Sequence, residues 1–248
     1  MTEVAAAPRS LGTTRRAAIG LLVPSANTVI EPDCYRIAPA GVTFHAARMF
    51  ITETTCEALE RMTADVDLAS KQLATAEVDV IAFGCTSGSF LKGAGYDAEL
   101  SQRIERVSGA KATTTSSAVL EALRKLGART IAIGTPYPDE VNSIIVRFFE
   151  DSGFRVTNME GLQILKATDI AAPEPTTAYE LGRRVDRPDA DAVFLSCTNF
   201  RAAEAADQLE QDLGKPVVTS NQATAWLALR KAGIADPIEG YGRLLRDF

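Results

Sequence analysis

The 248-residue sequence has one histidine, four cysteines and no excess of basic residues. A single histidine, His45, excludes a His-rich metal site and makes a Ser-His-Asp triad a poor interpretation. The 26 Lys and Arg residues are outnumbered by 32 Asp and Glu, giving a net charge of −6. That balance argues against nucleic acid or an anionic membrane as a partner. Four cysteines are also too few for a disulfide scaffold in a chain this long.

Long hydrophobic runs are missing as well, since no apolar run reaches the roughly 18 residues of a transmembrane helix. Arg15 and Arg16 precede a short apolar run at 17–23, which superficially resembles a twin-arginine signal. The run is too short for a signal, and the segment 24–27 is typical of a loop after a strand. We therefore expect a flexible tail over residues 1–15 and then a first strand. Free thiols and the absence of a signal predict a cytoplasmic protein with no membrane partner.

Short β-branched runs alternate along the chain with longer helical patterns, which is typical of βαβ units and parallel sheets. The segments 80–83 and 192–195 are continuously apolar, as expected for strands covered on both faces. We predict strands at 17–23, 42–46, 78–84, 110–114, 130–134, 154–159, 190–196 and 216–219. We predict helices at 56–76, 98–108, 118–126, 140–152, 176–185, 202–213 and 223–232.

The two halves of the chain echo each other. Cys85 and Cys197 each follow an apolar strand and lie 112 positions apart, and the same offset relates Pro24 to Pro136. Two landmarks at one offset indicate a duplicated α/β lobe. Ligands of parallel sheets bind at the carboxyl ends of strands, so a cleft between the lobes is the expected site. The predicted divisions are a first lobe at 16–116, a second lobe at 117–221, and a C-terminal helix at 222–248 that returns to the first lobe.

Cys85 and Cys197 are the strongest candidates for chemistry. Each comes directly after a buried strand and before a helix or turn, where backbone N–H groups favour a thiolate or a substrate carboxylate. Free cysteine is also a common buried residue, and one such cysteine alone would favour a packing role. Two cysteines at equivalent strand ends favour a catalytic pair. Short polar side chains follow both: Thr86, Ser87, Thr198 and Asn199.

The other two cysteines fit no site. Cys34 follows Pro32 in a stretch that we interpret as irregular, and Cys56 begins a helical pattern. No Cys-x-x-Cys motif is present, so zinc and redox-dithiol interpretations are weak and we predict no metal site.

Several residues near the strand ends allow two interpretations each. Asn27 is either a turn or N-cap residue or a donor to a carboxylate. Tyr137 is either a surface turn residue or a phenol above the cleft that donates a hydrogen bond or a proton. His45 is better explained as a strand residue bonded to backbone, and Arg48 as a solvent-exposed residue rather than a carboxylate clamp.

The sequence resembles the maleate cis–trans isomerases of the aspartate/glutamate racemase superfamily, which also holds arylmalonate decarboxylases and ectoine-utilisation proteins. The resemblance runs from about Arg16 to the C-terminus. The residues that carry it are Gly20-Leu-Leu-Val-Pro-Ser-Ala-Asn27-Thr28, Phe44-His45-Ala-Ala-Arg48-Met49, Cys85, Thr135-Pro-Tyr137, Cys197 and Gly240-Tyr-Gly-Arg-Leu244.

The resemblance implies two similar parallel α/β lobes, an active site between them and no cofactor. It places Cys85 and Cys197 as the two catalytic cysteines, and Asn27 and Tyr137 as contacts to a substrate carboxylate. It also favours a homodimer, as does the base rate of symmetric oligomers.

Three features depart from the family's pattern. Maleate isomerases carry an Asp-Asn pair where this chain has Lys166-Ala167, and that Asn binds substrate. The polar stretch after Cys85 is more similar to amino-acid racemases and the ectoine-utilisation branch. Arylmalonate decarboxylases have glycine at the position of Cys85, which argues here against simple decarboxylation.

We therefore predict a cofactor-independent isomerase of a small carboxylate, with a maleate-type cis–trans isomerase as the best single interpretation. A racemase of an amino acid or its derivative is the main alternative, followed by a malonate-type decarboxylase and a non-catalytic binding protein on the same fold. Both isomerase reactions need donors that stabilise an enediolate. The predicted substrate-binding residues are Ser25, Asn27, Thr86, Ser87, Tyr137, Thr198 and Asn199.

Overall fold

The computed structural model describes residues 14–248, and in them two parallel sheets of four strands each are flanked by helices. The strands are β1 Ala17–Pro24, β2 Val42–Met49, β3 Val80–Phe83, β4 Lys111–Thr114, β5 Thr130–Thr135, β6 Arg155–Gly161, β7 Ala192–Leu195 and β8 Val217–Thr219. The α-helices are α1 Ile30–Ile37, α2 Cys56–Thr63, α3 Val66–Ala74, α4 Thr86–Phe90, α5 Tyr96–Ser108, α6 Thr115–Lys125, α7 Asp139–Asp151, α8 Pro175–Val185, α9 Ala206–Leu213, α10 Ser220–Lys231 and α11 Arg243–Asp247. Short 3₁₀ helices span Ala167–Ala171 and Ala203–Ala205.

The two sheets have the same topology. Their strand orders are β2-β1-β3-β4 and β6-β5-β7-β8. Ile19 of β1 pairs with Val80 of β3, and Ile131 of β5 pairs with Ala192 of β7, so both registers repeat at the offset of 112. The predicted fold of two similar parallel α/β lobes is confirmed.

The predicted strands are all present, and their ends shift by a few residues. β1, β3 and β7 are buried along their whole length, which explains their uninterrupted apolar sequences. The strand interpretation of the run after Arg16 is therefore right. Of the predicted tail, residues 1–13 lie outside the part that the structure describes. Within residues 14–248, no helix has both the length and the apolar character of a membrane span.

The predicted helix at 56–76 is instead two helices, α2 and α3. The chain tightens between them, where the N–H of Ala64 donates to Arg61 and that of Asp65 donates to Met62, each three residues back. These bonds are of the 3₁₀ type, which locally interrupts the α-helical ladder.

Cys34 lies in helix α1, so the interpretation of that stretch as irregular was wrong. Pro32 had suggested a break, yet it occupies the first helical turn, where the missing N–H leaves no intrahelical bond unmade. Asn27 stabilises the N-terminus of helix α1, because its Oδ1 accepts from the N–H groups of Val29 at 2.9 Å and Ile30 at 3.0 Å.

Helices α6 and α10 follow the last strand of each sheet and pack against each other. The hydroxyls of Thr115 and Thr224 meet between them at 2.9 Å and are fully buried. Thr114 and Thr219 cap the two helices by accepting from Ser117 and Gln222. Helix α10 also contacts β3 and β4 of the first sheet and β8 of the second, so it lies against both sheets.

The core of the second sheet includes an aromatic cluster around Phe149. Its ring lies 5.4 Å from those of Phe148 and Phe194 and 6.0 Å from that of Phe154, in edge-to-face geometry. Replacing a buried Phe by Ala typically costs about 3–5 kcal/mol, since burial and packing are lost together. Phe149→Ala is expected to lower the free energy of unfolding in urea by about that amount. Phe50→Ala, at a side chain 72% exposed, is the control and should change it by less than about 0.5 kcal/mol.

Candidate active site

The loops after β1, β3, β5 and β7 meet in one narrow cavity of about 30 Å³. A water needs about 10–15 Å³ of such space, so the cavity is sized for a small ligand. Residues from both lobes line it: Pro24, Ala26, Asn27, Ile51, Thr54, Leu59, Cys85, Thr86, Ser87, Tyr137, Ala167, Ile170, Cys197, Thr198 and Asn199.

Every predicted site residue lines this cavity except Ser25. The hydroxyl of Ser25 instead donates to the carbonyl of Ile51 at 3.2 Å and accepts from its N–H at 3.0 Å. These two bonds hold the β1 loop to the segment after β2, which accounts for the Ser25 hydroxyl without a ligand.

Cys85 is the N-cap residue of helix α4. Its Sγ accepts from the N–H of Gly88 at 3.3 Å and lies 3.7 Å from Ser87 Oγ. Full burial raises the pKa of the Cys85 thiol, and these two hydrogen bonds offset part of the rise. The hydrogen bonds at the helix start lower the pKa of Cys85, but burial has the larger effect and raises it.

Cys197 has a φ of +93°, a conformation that residues with a Cβ rarely adopt. Its Sγ accepts from the N–H of Asn199 at 3.4 Å. Burial raises the pKa of Cys197 to about 12, and the charge of Cys85 contributes to that rise. The titration of Cys197 therefore depends on the state of Cys85.

Tyr137 is buried beside Cys197, so the alternative of a surface turn residue was wrong. Its phenol oxygen accepts from Ser196 Oγ at 3.3 Å. Burial raises the pKa of Tyr137 well above its ordinary value, and the neighbouring thiols add to the rise. The phenol is therefore protonated and has its own O–H to donate.

Asn27 begins helix α1, which is the structural role considered above, and its side-chain amide also donates hydrogen bonds. Besides starting helix α1 with its oxygen, it donates from Nδ2 to Thr198 Oγ1 at 3.0 Å. Thr198 in turn donates to the carbonyl of Gly84, and Asn199 accepts from the N–H of Thr28. An Asn amide has two N–H bonds, so the second remains for a ligand in the cavity.

Ser220, at the start of α10, joins the two cysteine loops. Its hydroxyl accepts from Thr86 Oγ1 at 2.8 Å and from the N–H of Cys197 at 3.0 Å. The next residue, Asn221, donates from Nδ2 to the carbonyl of Thr198 at 3.0 Å and to the buried Asp33 at 2.7 Å. These contacts fix the loop after Cys197 from behind, and no sequence motif marked either residue.

A second wall of the cavity comes from two segments, one of which contains the Lys166-Ala167 position that departs from the family's pattern. Residues 51–59 and 165–170, here called the cover, are joined by main-chain bonds. The N–H of Thr54 donates to Leu165 at 3.0 Å, the N–H of Ala167 donates to Thr52 at 3.1 Å, and Glu53 and Lys166 form an antiparallel bridge. Because the two segments come from opposite halves of the chain, no local pattern predicts their pairing.

His45 and Arg48 do not line the cavity. His45 is exposed on β2, and its Nε2 lies 2.9 Å from Thr43 Oγ1, a side-chain partner where backbone was expected. Arg48 donates to the carbonyls of Ser25 and Asn27 and pairs with Glu31. Within residues 14–248, no three His, Cys, Asp or Glu side chains are grouped as a metal site requires.

Known proteins are similar to this chain in sequence and in fold. The model of the arylmalonate decarboxylase family matches residues 19–245. A maleate isomerase of Pseudomonas putida is 30% identical over 92% of this chain and 96% of its own, and an arylmalonate decarboxylase of Bordetella bronchiseptica is 33% identical over 91% and 95%.

A Nocardia farcinica maleate cis-trans isomerase, with one cysteine replaced by serine, has been solved with a covalently bound succinylcysteine intermediate. It superposes with a TM-score of 0.88 at 25% identity, over 94% of this chain and 99% of that one. All three relatives are named as enzymes, which confirms the prediction of an enzyme. The chain belongs to the arylmalonate decarboxylase family, whose members here include maleate isomerases.

Proposed function

We propose that the protein is a maleate-type cis–trans isomerase that acts on a small unsaturated carboxylate without a cofactor. One observation carries this proposal. Among the side chains that line the cavity, the thiols of Cys85 and Cys197 and the phenol of Tyr137 are the ionisable groups. These three groups are the candidates for the nucleophile and the acid, because no carboxylate, histidine or lysine of residues 14–248 lines the cavity to activate its serine and threonine hydroxyls.

Cys85 is assigned as the nucleophile. Its Sγ already accepts the Gly88 N–H, a contact that strengthens when the sulfur becomes anionic. Cys197, with a pKa of about 12, is the thiol that stays protonated and acts as the acid. The unequal environments of the two sulfurs support Cys85 as the thiolate, a choice that the sequence left open.

The reaction begins when the Cys85 thiol loses its proton to solvent. The thiolate adds to one carbon of the double bond, and the displaced electron pair moves to the neighbouring carbon and its carboxylate as an enediolate. Cys197 donates its proton to that carbon and later takes it back. Rotation about the new C–C single bond precedes cleavage of the C–S bond, which restores the thiolate and releases the trans acid. No electrons or atoms are gained or lost overall.

The enediolate needs donors, and the strand-end loops supply them. Asn27 has its second amide N–H, and Tyr137 has its O–H. The first N–H groups of helix α4, at Thr86 and Ser87, have no acceptor within the helix. Thr198 and Asn199 shape the opposite loop beside Cys197. Because these donors are fixed before substrate arrives, they stabilise developing charge at no cost of reorganisation.

A racemase is the second candidate, because a pair of cysteines also suits a reaction in which a proton leaves one face of a carbon and another returns to the opposite face. One deprotonated cysteine would remove an α-proton and the other would return a proton from its own position. Decarboxylation is the third candidate reaction, because an arylmalonate decarboxylase is among the relatives.

Proton NMR of the purified protein in D2O separates these reactions. The panel contains maleate, citraconate, both enantiomers of aspartate and glutamate, and phenylmalonate. Appearance of a trans acid is expected and would support the proposal. Deuterium at an α-carbon without a change in bond order would replace it with racemisation, and loss of CO2 from phenylmalonate with decarboxylation.

A further inference from the structure

The two walls of the cavity differ in chemistry. The strand-end wall carries the thiols, the Tyr137 phenol and the amides. The cover presents Ile51, Leu59, Ala167 and Ile170, and Thr54 is its single polar side chain toward the cavity. The cover therefore adds mainly hydrocarbon to the lining, whereas the strand-end loops add the donors.

Ala167 offers the cavity only its methyl group. Its carbonyl already accepts from Asn199 Nδ2 at 2.8 Å, and its N–H donates to the carbonyl of Thr52 at 3.1 Å. The neighbouring Lys166 does not compensate, because its side chain is 67% exposed and pairs with Asp169 on the surface. No arginine, lysine or histidine of residues 14–248 lines this wall.

A carboxylate held against the cover would be poorly solvated. It can accept about four hydrogen bonds, and the Thr54 hydroxyl can donate one. Burying an ionised group without partners is strongly unfavourable, whereas burying a methyl group there is favourable. The cover therefore selects against a second carboxylate at that end of the substrate.

We propose that the preferred substrate is a small cis-2-alkenoic acid with one carboxylate and a methyl-sized apolar group at the other end. This inference rests on the proposed function and adds the substrate class. The chemistry is satisfied by one carboxylate, since the electron pair displaced by thiolate addition at C3 is delocalised from C2 into the C1 carboxylate. A cavity of about 30 Å³ favours a small apolar group over a large one.

Maleate and cis-2-butenoate are the matched pair that tests this, because a methyl group replaces one carboxylate at similar size. We expect kcat/KM of the full chain, followed by proton NMR, to favour cis-2-butenoate by about tenfold or more. In Ala167→Asn, a new amide donor faces the cavity, and the ratio should move toward maleate by about tenfold. Ala167→Leu, which branches at the same position as Asn and is larger but has no donor, should leave the preference for cis-2-butenoate.

A binding measurement tests the preference for one carboxylate over two without relying on turnover. Butanoate should protect Cys85 from iodoacetamide at lower concentration than succinate, its dicarboxylate counterpart. Preference of the wild type for maleate and succinate, or equal shifts in Ala167→Asn and Ala167→Leu, would overturn the inference and leave the isomerase proposal intact. Protection by butanoate without isomerisation of either acid would support the inference about the ligand and reject the proposed reaction.

Discussion

Cys85→Ser is expected to lower kcat/KM for cis–trans isomerisation by about 10³-fold or more. A serine hydroxyl is a far weaker nucleophile than a thiolate, and the cavity offers no histidine to activate it. Cys85 is buried at the start of α4. Serine is a favoured N-cap residue, so the helix should persist. The measurement is initial rate by proton NMR, with circular dichroism as the check on folding.

The same rate measurement is made on two further variants, Cys197→Ser and Cys56→Ser. Loss of the acid at Cys197 should cost about 10²–10⁴-fold and leave addition by Cys85 possible, so that an adduct on Cys85 is detectable by mass spectrometry. Cys56 does not line the cavity, and its replacement should leave the rate unchanged. Full activity of Cys85→Ser, or an adduct found on Cys197 in the wild type, would refute the assigned roles.

The rate should rise steeply with pH. Because burial raises the pKa of Cys85, the thiol is protonated at neutral pH and only a small fraction of free enzyme is reactive. Since kcat/KM reports the free enzyme, it should increase about tenfold per pH unit between about pH 6 and about pH 9. With the pKa of Cys197 at about 12, no fall should follow in that range, since the acid stays protonated.

This profile is measured with one substrate at constant ionic strength, alongside the rate of Cys85 alkylation relative to free cysteine. The value of kcat/KM and the rate of Cys85 alkylation should rise with pH over the same range. A plateau already near neutral pH would mean that the hydrogen bonds from Gly88 and Ser87 outweigh burial, and that Cys85 is a preformed thiolate. The rate of a Ser87→Ala variant separates the contribution of that hydroxyl, since its removal should move the limb to higher pH.

The strands and the cysteine pair were predictable because their signals are local. Continuous apolar runs of four residues identify β3 and β7, and a cysteine two residues beyond a buried strand lies at the sheet's carboxyl edge. Tyr137 and Asn27 were identified with two interpretations each. Only packing decided between them, because burial of the Tyr137 ring and the spare N–H of Asn27 depend on neighbours from other elements.

Helix α1 shows a different limit. Pro32 breaks a helix in its interior but is tolerated in its first turn, and the sequence does not say which applies until the N-terminus is located. For Ser25, the sequence suggested a substrate contact that the structure does not show. It lies inside the motif that resembles the family, yet its hydroxyl is used by the backbone of Ile51.

The sequence by itself determined two duplicated lobes, the strand ends that face each other, and the pair of thiols placed there, because each depends on short-range periodicity and on one repeated offset. The tertiary structure alone decided the pairing of the two segments that form the cover, the burial that raises the pKa of both thiols, and the left-handed backbone at Cys197. Those features depend on which distant segments exclude water from the site. Burial and pairing of that kind are properties of the packed chain and leave no mark in any local stretch of residues.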